Sequence, residues 1–279
     1  MGAVGARKAA VLGSPVAHSK SPVLHRAAYA ALGLAGWTYD AIDTTAEQLP
    51  ERVDTAGPEW VGFSVTMPGK LAALAFADVR TRRAELIGSA NTLVRMADGW
   101  RADCTDVDGM TGALARVGLP TDATRAVVIG AGGTALPTVA ALAEVGINEV
   151  TVVARSAERA RGVIELAEQL GLRAAVVGFD ADASLRNACG DAEVTVSTVP
   201  AAAAESLIPA VVRTSRLVDV IYDPWPTPLA SAVEQAGGTV VGGIVMLLNQ
   251  AFSQVEQFTG RPAPKAAMAA AVGLGPGEF

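Results

Sequence analysis

The stretch AVVIGAGGTALPTVAAL, Ala126–Leu142, sets a short, fully apolar run directly before a glycine-rich turn and an Ala-rich run. Ala126–Ile129 reads as a buried strand, and the residues from Ala135 onward read as a helix. The intervening Gly130-Ala131-Gly132-Gly133-Thr134-Ala135 has the G-x-G-x-x-A spacing that suits a dinucleotide. The first glycine allows the tight turn and the second lets the backbone approach a pyrophosphate. The small third residue lets helix and strand pack closely. The helix N-terminus then offers free N–H groups to negative charge. Pro137 falls in the first turn, where its missing N–H does little harm.

Outward from this motif, apolar strands alternate with helix-period stretches, the pattern of an α/β protein with mostly parallel sheets. Downstream strands are expected at Glu149–Val153, Ala174–Val177, Glu193–Ser197, Leu217–Ile221 and Thr239–Val241. Helices are expected at Ala157–Leu170 and Ile244–Phe258. Upstream, strands are expected at Ala9–Gly13, Gly36–Ile42 and Trp60–Val65, with helices at Val23–Leu32 and Lys70–Phe76. Ser21 and Pro22 read as an N-cap followed by proline at the first helical position, and Gly33 closes that helix. Arg101–Gly109 is short and polar, a helix follows at Thr111–Val117, and a domain boundary falls in this region. The tail from Ala266 reads as Ala/Gly-rich, with LGPGEF frayed. No internal repeat is found.

The chain of 279 residues is long enough for two domains. No apolar run is long enough to span a membrane. The start, MGAVGARKAAVLGSP, has too short an apolar run for a signal peptide. Cys104 and Cys189 are the only cysteines, which gives no disulfide framework and points to a reducing cytoplasm. A net charge of −6 argues against a nucleic-acid partner. A homodimer is left open.

The strand EVTVVA ends at Ala154, and Arg155, Ser156 and Arg159 follow it. An acidic residue at this place would bind a ribose 2′-OH and favour NAD. Arginine instead offers a planar fork for a 2′-phosphate, so the cofactor reading is NADP.

The segment AHSKSPVLH, residues 17–25, holds both histidines, His18 and His25. A hydrolase would need a base-oriented nucleophile, an acid behind the base and an oxyanion hole, none of which is indicated. Zinc would need three or four ligands, and none is expected here. The histidines read as structural, and Ser19 and Ser21 sit at a helix mouth that favours an anion.

Eight segments, GSPVAHSKSPVLH, VTMPGK, GSANT, TDVDG, GAGG, ARSAER, DVIYDPWPTPL and MLLNQAF, occur in an order that resembles the shikimate dehydrogenase family, in its actinobacterial phrasing. The resemblance runs over almost the whole chain. It implies an N-terminal α/β substrate-binding and catalytic domain over residues 1–106, completed by the C-terminal helix 244–279. A Rossmann-like NADP-binding domain with a parallel sheet then covers 107–243, and substrate lies in the cleft between the two. The implied reaction is NADPH-dependent reduction of 3-dehydroshikimate to shikimate and its reverse. Lys70 and Asp106 are implied as the catalytic pair. Ser19 and Ser21, with Tyr222 nearby, are implied to bind the carboxylate, and Thr66, Asn91 and Gln250 to bind the rest of the substrate. For the cofactor the resemblance implies Gly130, Ala131, Gly132, Gly133, Thr134, Ala154, Arg155, Ser156, Arg159, Thr198, Val220, Gly243 and Met246.

Three positions depart from the usual pattern. Ser64 stands where asparagine is common and still offers a hydroxyl. Val245 replaces a glycine, and Cys104 replaces an asparagine and reads as a small packing residue. Two rival readings are a quinate dehydrogenase, against which Arg155 speaks, and a dinucleotide-binding regulator without catalysis, against which Lys70 and Asp106 speak.

Overall fold

The computed structural model describes residues 6–279. Residues 1–5, the start of the stretch weighed as a signal peptide, lie outside the described residues. The chain divides into two compact units, one running to Thr105 and resuming at Leu248–Phe279, the other spanning Asp106–Leu247.

The first unit runs β1 (Arg7–Gly13), α1 (Ser21–Ala31), β2 (Trp37–Asp43), α2 (Leu49–Asp54), β3 (Trp60–Val65) and α3 (Lys70–Phe76). It continues through β4 (Val79–Arg80), α4 (Arg82–Ile87), β5 (Thr92–Met96) and β6 (Gly99–Asp103). These strands make one sheet in the order β2-β1-β3-β5-β6-β4. β1 lies parallel to β2 and β3, while β5 is antiparallel to both β3 and β6. Ala9–Leu12 of β1 are almost wholly buried, as befits a strand covered on both faces.

In the second unit come α5 (Asp106–Arg116), β7 (Arg125–Ile129), α6 (Ala135–Glu144), β8 (Glu149–Val153), α7 (Ala157–Gln169) and β9 (Arg173–Val177). There follow α8 (Ala183–Asp191), β10 (Val194–Ser197), α9 (Ala201–Ala204), α10 (Ile208–Val211), β11 (Arg216–Asp219), α11 (Pro228–Gln235) and β12 (Thr239–Gly242). Every pairing is parallel, in the order β12-β11-β10-β7-β8-β9. Counted from β7, that is the 3-2-1-4-5-6 order of a Rossmann sheet, whose strand order reverses between β7 and β10. α12 (Gly243–Thr259) then carries the chain back into the first unit, where α13 (Lys265–Ala271) packs on α1. No helix among the described residues is long and apolar enough to cross a membrane.

The structure corrects four local expectations. Ser21 is the first residue of α1 rather than its cap; Lys20 holds the cap position without a side-chain bond, and Ser19 Oγ accepts from the Ser21 N–H at 3.3 Å. The polar-looking segment at Arg101–Gly109 contains the end of β6 and the start of α5, so the helix begins at Asp106 rather than Thr111. Val107, Met110, Ala113 and Leu114 form its buried stripe, and Asp106 and Asp108 sit in the first turn, where the helix dipole favours acids. The tail is not frayed: α13 is a helix with Met268 and Ala269 buried, and Phe279 meets Phe252 edge-on at 6.0 Å. Of the histidines, His25 is a core residue stacked on Tyr39 at 4.0 Å, whereas His18 is exposed. Gly33 does close α1: at φ 68° it donates to Ala30 while Leu34 donates to Tyr29, a Schellman end.

Candidate active site

In the second unit, the loops after β7, β8, β9 and β10 surround a cavity of about 440 Å³ at the C-terminal ends of the strands. Gly130–Gly132, Val153–Arg155, Arg159, Phe179, Thr198–Pro200 and Ala203 line it. Its place at the switch point is where open parallel sheets take ligands. Gly130 adopts φ 105°, and a Cβ there would lie 2.6 Å from Thr198 Oγ1 and 2.7 Å from Val199 Cγ1. A side chain is excluded there by both backbone and space. Gly132 and Gly133 differ, because a Cβ on either would meet no protein atom within 4 Å. Nothing within the chain demands glycine there, so the open backbone fits the close approach of an outside group such as a pyrophosphate. Ala135 is fully buried at the start of α6, which suits the tight helix–strand contact.

Arg155 and Arg159 line the same cavity beyond β8. The Arg155 guanidinium lies 5.6 Å from the Phe179 ring centroid, a cation–π distance. The Ser156 hydroxyl caps α7 by accepting from the Arg159 N–H at 3.3 Å. These groups fit a dinucleotide that carries one further phosphate. Thr198 faces the Gly130 turn and donates to the Ile129 carbonyl at 2.9 Å. Thr134 is the N-cap residue of α6, without a side-chain cap bond. Val220 and Gly243 touch each other: a Cβ on Gly243 would run into the Val220 carbonyl oxygen. Met246, on α12, is buried. Val220, Gly243 and Met246 are not part of the cavity lining. The sequence reading missed Phe179, although an aromatic residue just past a strand of this order was a usable signal.

Tyr222 also belongs to the second unit, half-buried past β11. Burial raises its pKa, and the Asp223 charge adds to this. Its loop is pinned by the buried Asp219, which accepts from Thr227 Oγ1 at 2.7 Å and from the Ile221 N–H at 3.2 Å. Burial raises the Asp219 pKa against those two bonds.

In the first unit, the remaining candidate residues collect at one end of the sheet. Main-chain bonds bring them there: Thr66 N–H donates to Leu12 at 2.8 Å, Val65 N–H to Asn91 at 2.7 Å, and Ala90 N–H to Lys70 at 3.1 Å. Thr66, Lys70 and Asn91 are thereby tied to neighbouring backbone, beyond β1 and β3 and just before β5. Lys70 is half-buried at the first position of α3. The loop after β1 brings Ser19 and Ser21; Ser21 is buried beside Tyr39.

Asn91 is buried and its amide orientation is determined. Thr105 N–H, which can only donate, lies 2.8 Å from Asn91 Oδ1. Nδ2 therefore faces Thr105 Oγ1 at 3.0 Å and Gln250 Oε1 at 3.3 Å. Thr105 was not singled out in the sequence, although it opens the TDVDG segment. Asp106 follows it, buried in the first turn of α5. Cys104 is wholly buried. Ser64 does not keep a hydroxyl to donate outward: it accepts from Tyr39 Oη at 2.6 Å and gives its only proton to Gln254 Oε1 at 2.7 Å.

Asp103 anchors the end of β6. Arg83 grips its two oxygens through Nε and Nη2 at 2.7 Å each, and Thr81 and Gln257 donate to it at 2.8 Å. Burial alone would raise its pKa, but the paired bonds and charge of Arg83 outweigh this and hold it at about 2. The ionised form therefore favours the fold at all pH above the ordinary carboxylate range, and that stabilisation is lost as pH falls toward about 2. Arg83→Ala should cost about 3 kcal/mol near neutral pH and move acid unfolding to higher pH. Identical acid midpoints for variant and wild type in a circular-dichroism titration would contradict this.

Comparison with known proteins matches residues 11–93 to the shikimate dehydrogenase substrate binding domain and 243–272 to the shikimate 5′-dehydrogenase C-terminal domain. Residues 126–241 match the saccharopine dehydrogenase NADP binding domain, a likeness confined to the cofactor half. The chain is 35% identical to the NADP(+) shikimate dehydrogenase of Methanopyrus kandleri, over 94% of this chain and 93% of that one. It is similar to the crystal structure of Mycobacterium tuberculosis shikimate dehydrogenase, at 55% identity and a TM-score of 0.91, covering 95% of this chain and 98% of that one. The Thermus thermophilus shikimate 5-dehydrogenase, solved with NADP(H) and shikimate, matches at 31% identity and a TM-score of 0.79, over 95% and 98% of the two chains.

Proposed function

The chain belongs to the shikimate dehydrogenase family, and on that premise we propose how its residues carry the reaction. It catalyses the reversible, NADPH-dependent reduction of 3-dehydroshikimate to shikimate, a step of aromatic amino-acid biosynthesis. Substrate recognition and catalysis belong to the first unit together with Asp106 and Tyr222, and cofactor binding belongs to the second unit.

NADPH, when bound, supplies the hydride. The Gly130–Gly133 loop and the α6 N-terminus hold its pyrophosphate, and Arg155 with Arg159 holds the 2′-phosphate. Ser19 and Ser21 donate to the substrate carboxylate, with Tyr222 as a further donor. Thr66, Asn91 and Gln250 bind the ring hydroxyls. Lys70 stabilises the oxyanion that grows on the C3 oxygen and gives it a proton. Asp106 accepts from a ring hydroxyl and orients Lys70. Thr134, Ser156, Val220, Gly243 and Met246 complete the cofactor surroundings. Both cysteines are buried and neither is in a disulfide, which fits a reducing cytoplasm as its compartment.

One observation carries this reading. A single backbone bond, Ala90 N–H to the Lys70 carbonyl, ties the one lysine of the helix start to the residue before Asn91, whose amide is held in one orientation. The main chain under the proposed proton donor is thus held next to the main chain that carries the proposed hydroxyl-reading amide. The test runs the reaction backwards, incubating the protein with shikimate and NADP+ and identifying the product by mass and chromatography. 3-Dehydroshikimate is expected; oxidation of quinate alone would assign a different substrate.

The serines allow a second test. Ser19→Ala combined with Ser21→Ala should raise the substrate KM at least tenfold, given about 1.5–3 kcal/mol per charged hydrogen bond. NADPH affinity should not change. An analogue without the carboxylate should be indifferent to the double substitution; an equal loss for that analogue would remove the serines from carboxylate binding.

A further inference from the structure

Gln254 is almost fully buried on α12, one helical turn beyond Gln250, and the reaction described above gives it no part. Its amide is nonetheless bonded on both sides. Nε2 donates to the Asn91 carbonyl at 3.2 Å and to Thr92 Oγ1 at 2.9 Å. Because a backbone carbonyl can only accept, Nε2 must face Asn91, and Oε1 must point the other way. There it accepts from Ser64 Oγ at 2.7 Å and from His25 Nε2 at 3.3 Å. His25 must then carry its proton on Nε2, leaving Nδ1 to accept from Tyr29 Oη at 3.5 Å. Burial holds this imidazole neutral by lowering its pKa to about 3.

The donors run in one direction through this cluster. Tyr39 donates to Ser64 and Ser64 donates to Gln254. Gln254 donates to Thr92, and Thr92 donates to Asn91 Oδ1 at 2.8 Å. Ser64, Thr92, Asn91 and Gln254 are all buried, so a break anywhere leaves a polar atom without water to replace its partner.

We propose that Gln254 is a positioning residue for substrate recognition: through Thr92 and the Asn91 carbonyl it fixes the Asn91 amide. The inference rests on the reading of Asn91 as a substrate contact. A purely structural glutamine would affect stability alone. A positioning glutamine raises the KM for shikimate while leaving the affinity for NADP+ unchanged.

The experiment compares Gln254→Met, Thr92→Val, Tyr29→Phe and Asn91→Ala for shikimate KM, kcat, NADP+ affinity by fluorescence titration and Tm. Gln254→Met and Thr92→Val should each raise KM by roughly tenfold, the equivalent of one lost hydrogen bond, with NADP+ affinity within twofold of wild type. Tyr29→Phe removes only the far bond to His25, and should lower Tm without moving KM. If Gln254→Met does not fold, Thr92→Val decides the matter, since it removes the same link from the other side. KM within twofold of wild type in Thr92→Val, or a KM rise in Tyr29→Phe matching that of Gln254→Met, would overturn the proposal. Asn91→Ala separates the two levels: a raised KM there with a silent Thr92→Val sinks only the role of Gln254. A silent Asn91→Ala sinks the reading of the site beneath it.

Discussion

Lys70→Ala should lower kcat by roughly 10²–10³-fold or more, while NADPH affinity and thermal stability stay close to wild type. That is the usual cost of removing one donor aimed at charge that develops in the transition state. The structure supports a functional reason for the lysine. It occupies the first position of α3, where the positive end of the helix dipole disfavours a cation, and it is half-buried rather than fully solvated. Its carbonyl is tied to Ala90, so the backbone that carries it is not free to drift from Asn91. The loss should appear equally in kcat and kcat/KM, the pattern of an interaction made only in the transition state. Activity within a few-fold of wild type would remove Lys70 from the mechanism.

Arg155→Asp should reverse cofactor preference. The substitution replaces a cation at the cavity rim with a like charge to the 2′-phosphate, so NADPH should weaken far more than NADH. Losing about 1.5–3 kcal/mol for each charged hydrogen bond corresponds to at least a tenfold change in the ratio of the two affinities. The new aspartate also stands where an acid can accept from the unphosphorylated ribose of NADH. Phe179, across the cation–π contact, supports the arginine from one face and has no such charge dependence. Equal weakening of both cofactors, measured by equilibrium titration, would make Arg155 structural and remove the main support for its phosphate role.

The cofactor cavity was legible because its chemistry is local. Strand, glycine turn and helix follow one another at Ala126–Leu142, and Arg155 stands directly past the next strand. The substrate end was legible only through the resemblance, because its residues come from loops distant in sequence. What escaped reading has a common cause. Trp100-Arg101-Ala102-Asp103 alternates as a strand should, yet looks polar because Arg83 and Gln257 provide partners that only the fold supplies. Ser64 carries a hydroxyl in any reading of the sequence, but its proton is taken by a residue 190 positions away. Ser21 looks like a cap because Pro22 follows it; the fold instead buries it against Tyr39 and leaves Ser19 to meet the N–H. In each case long-range hydrogen bonding decides what a locally ambiguous side chain does.

The most direct test of the activity follows NADPH absorbance with 3-dehydroshikimate, with NADH and 3-dehydroquinate as exchanged partners in a matrix of four assays. Rapid NADPH oxidation with 3-dehydroshikimate is expected, with NADH slower by at least about tenfold on the same energetic grounds as Arg155→Asp. 3-Dehydroquinate should be a poor substrate with either cofactor. A preference for NADH with 3-dehydroquinate, or no consumption of either cofactor by a folded, NADPH-binding protein, would contradict the assignment.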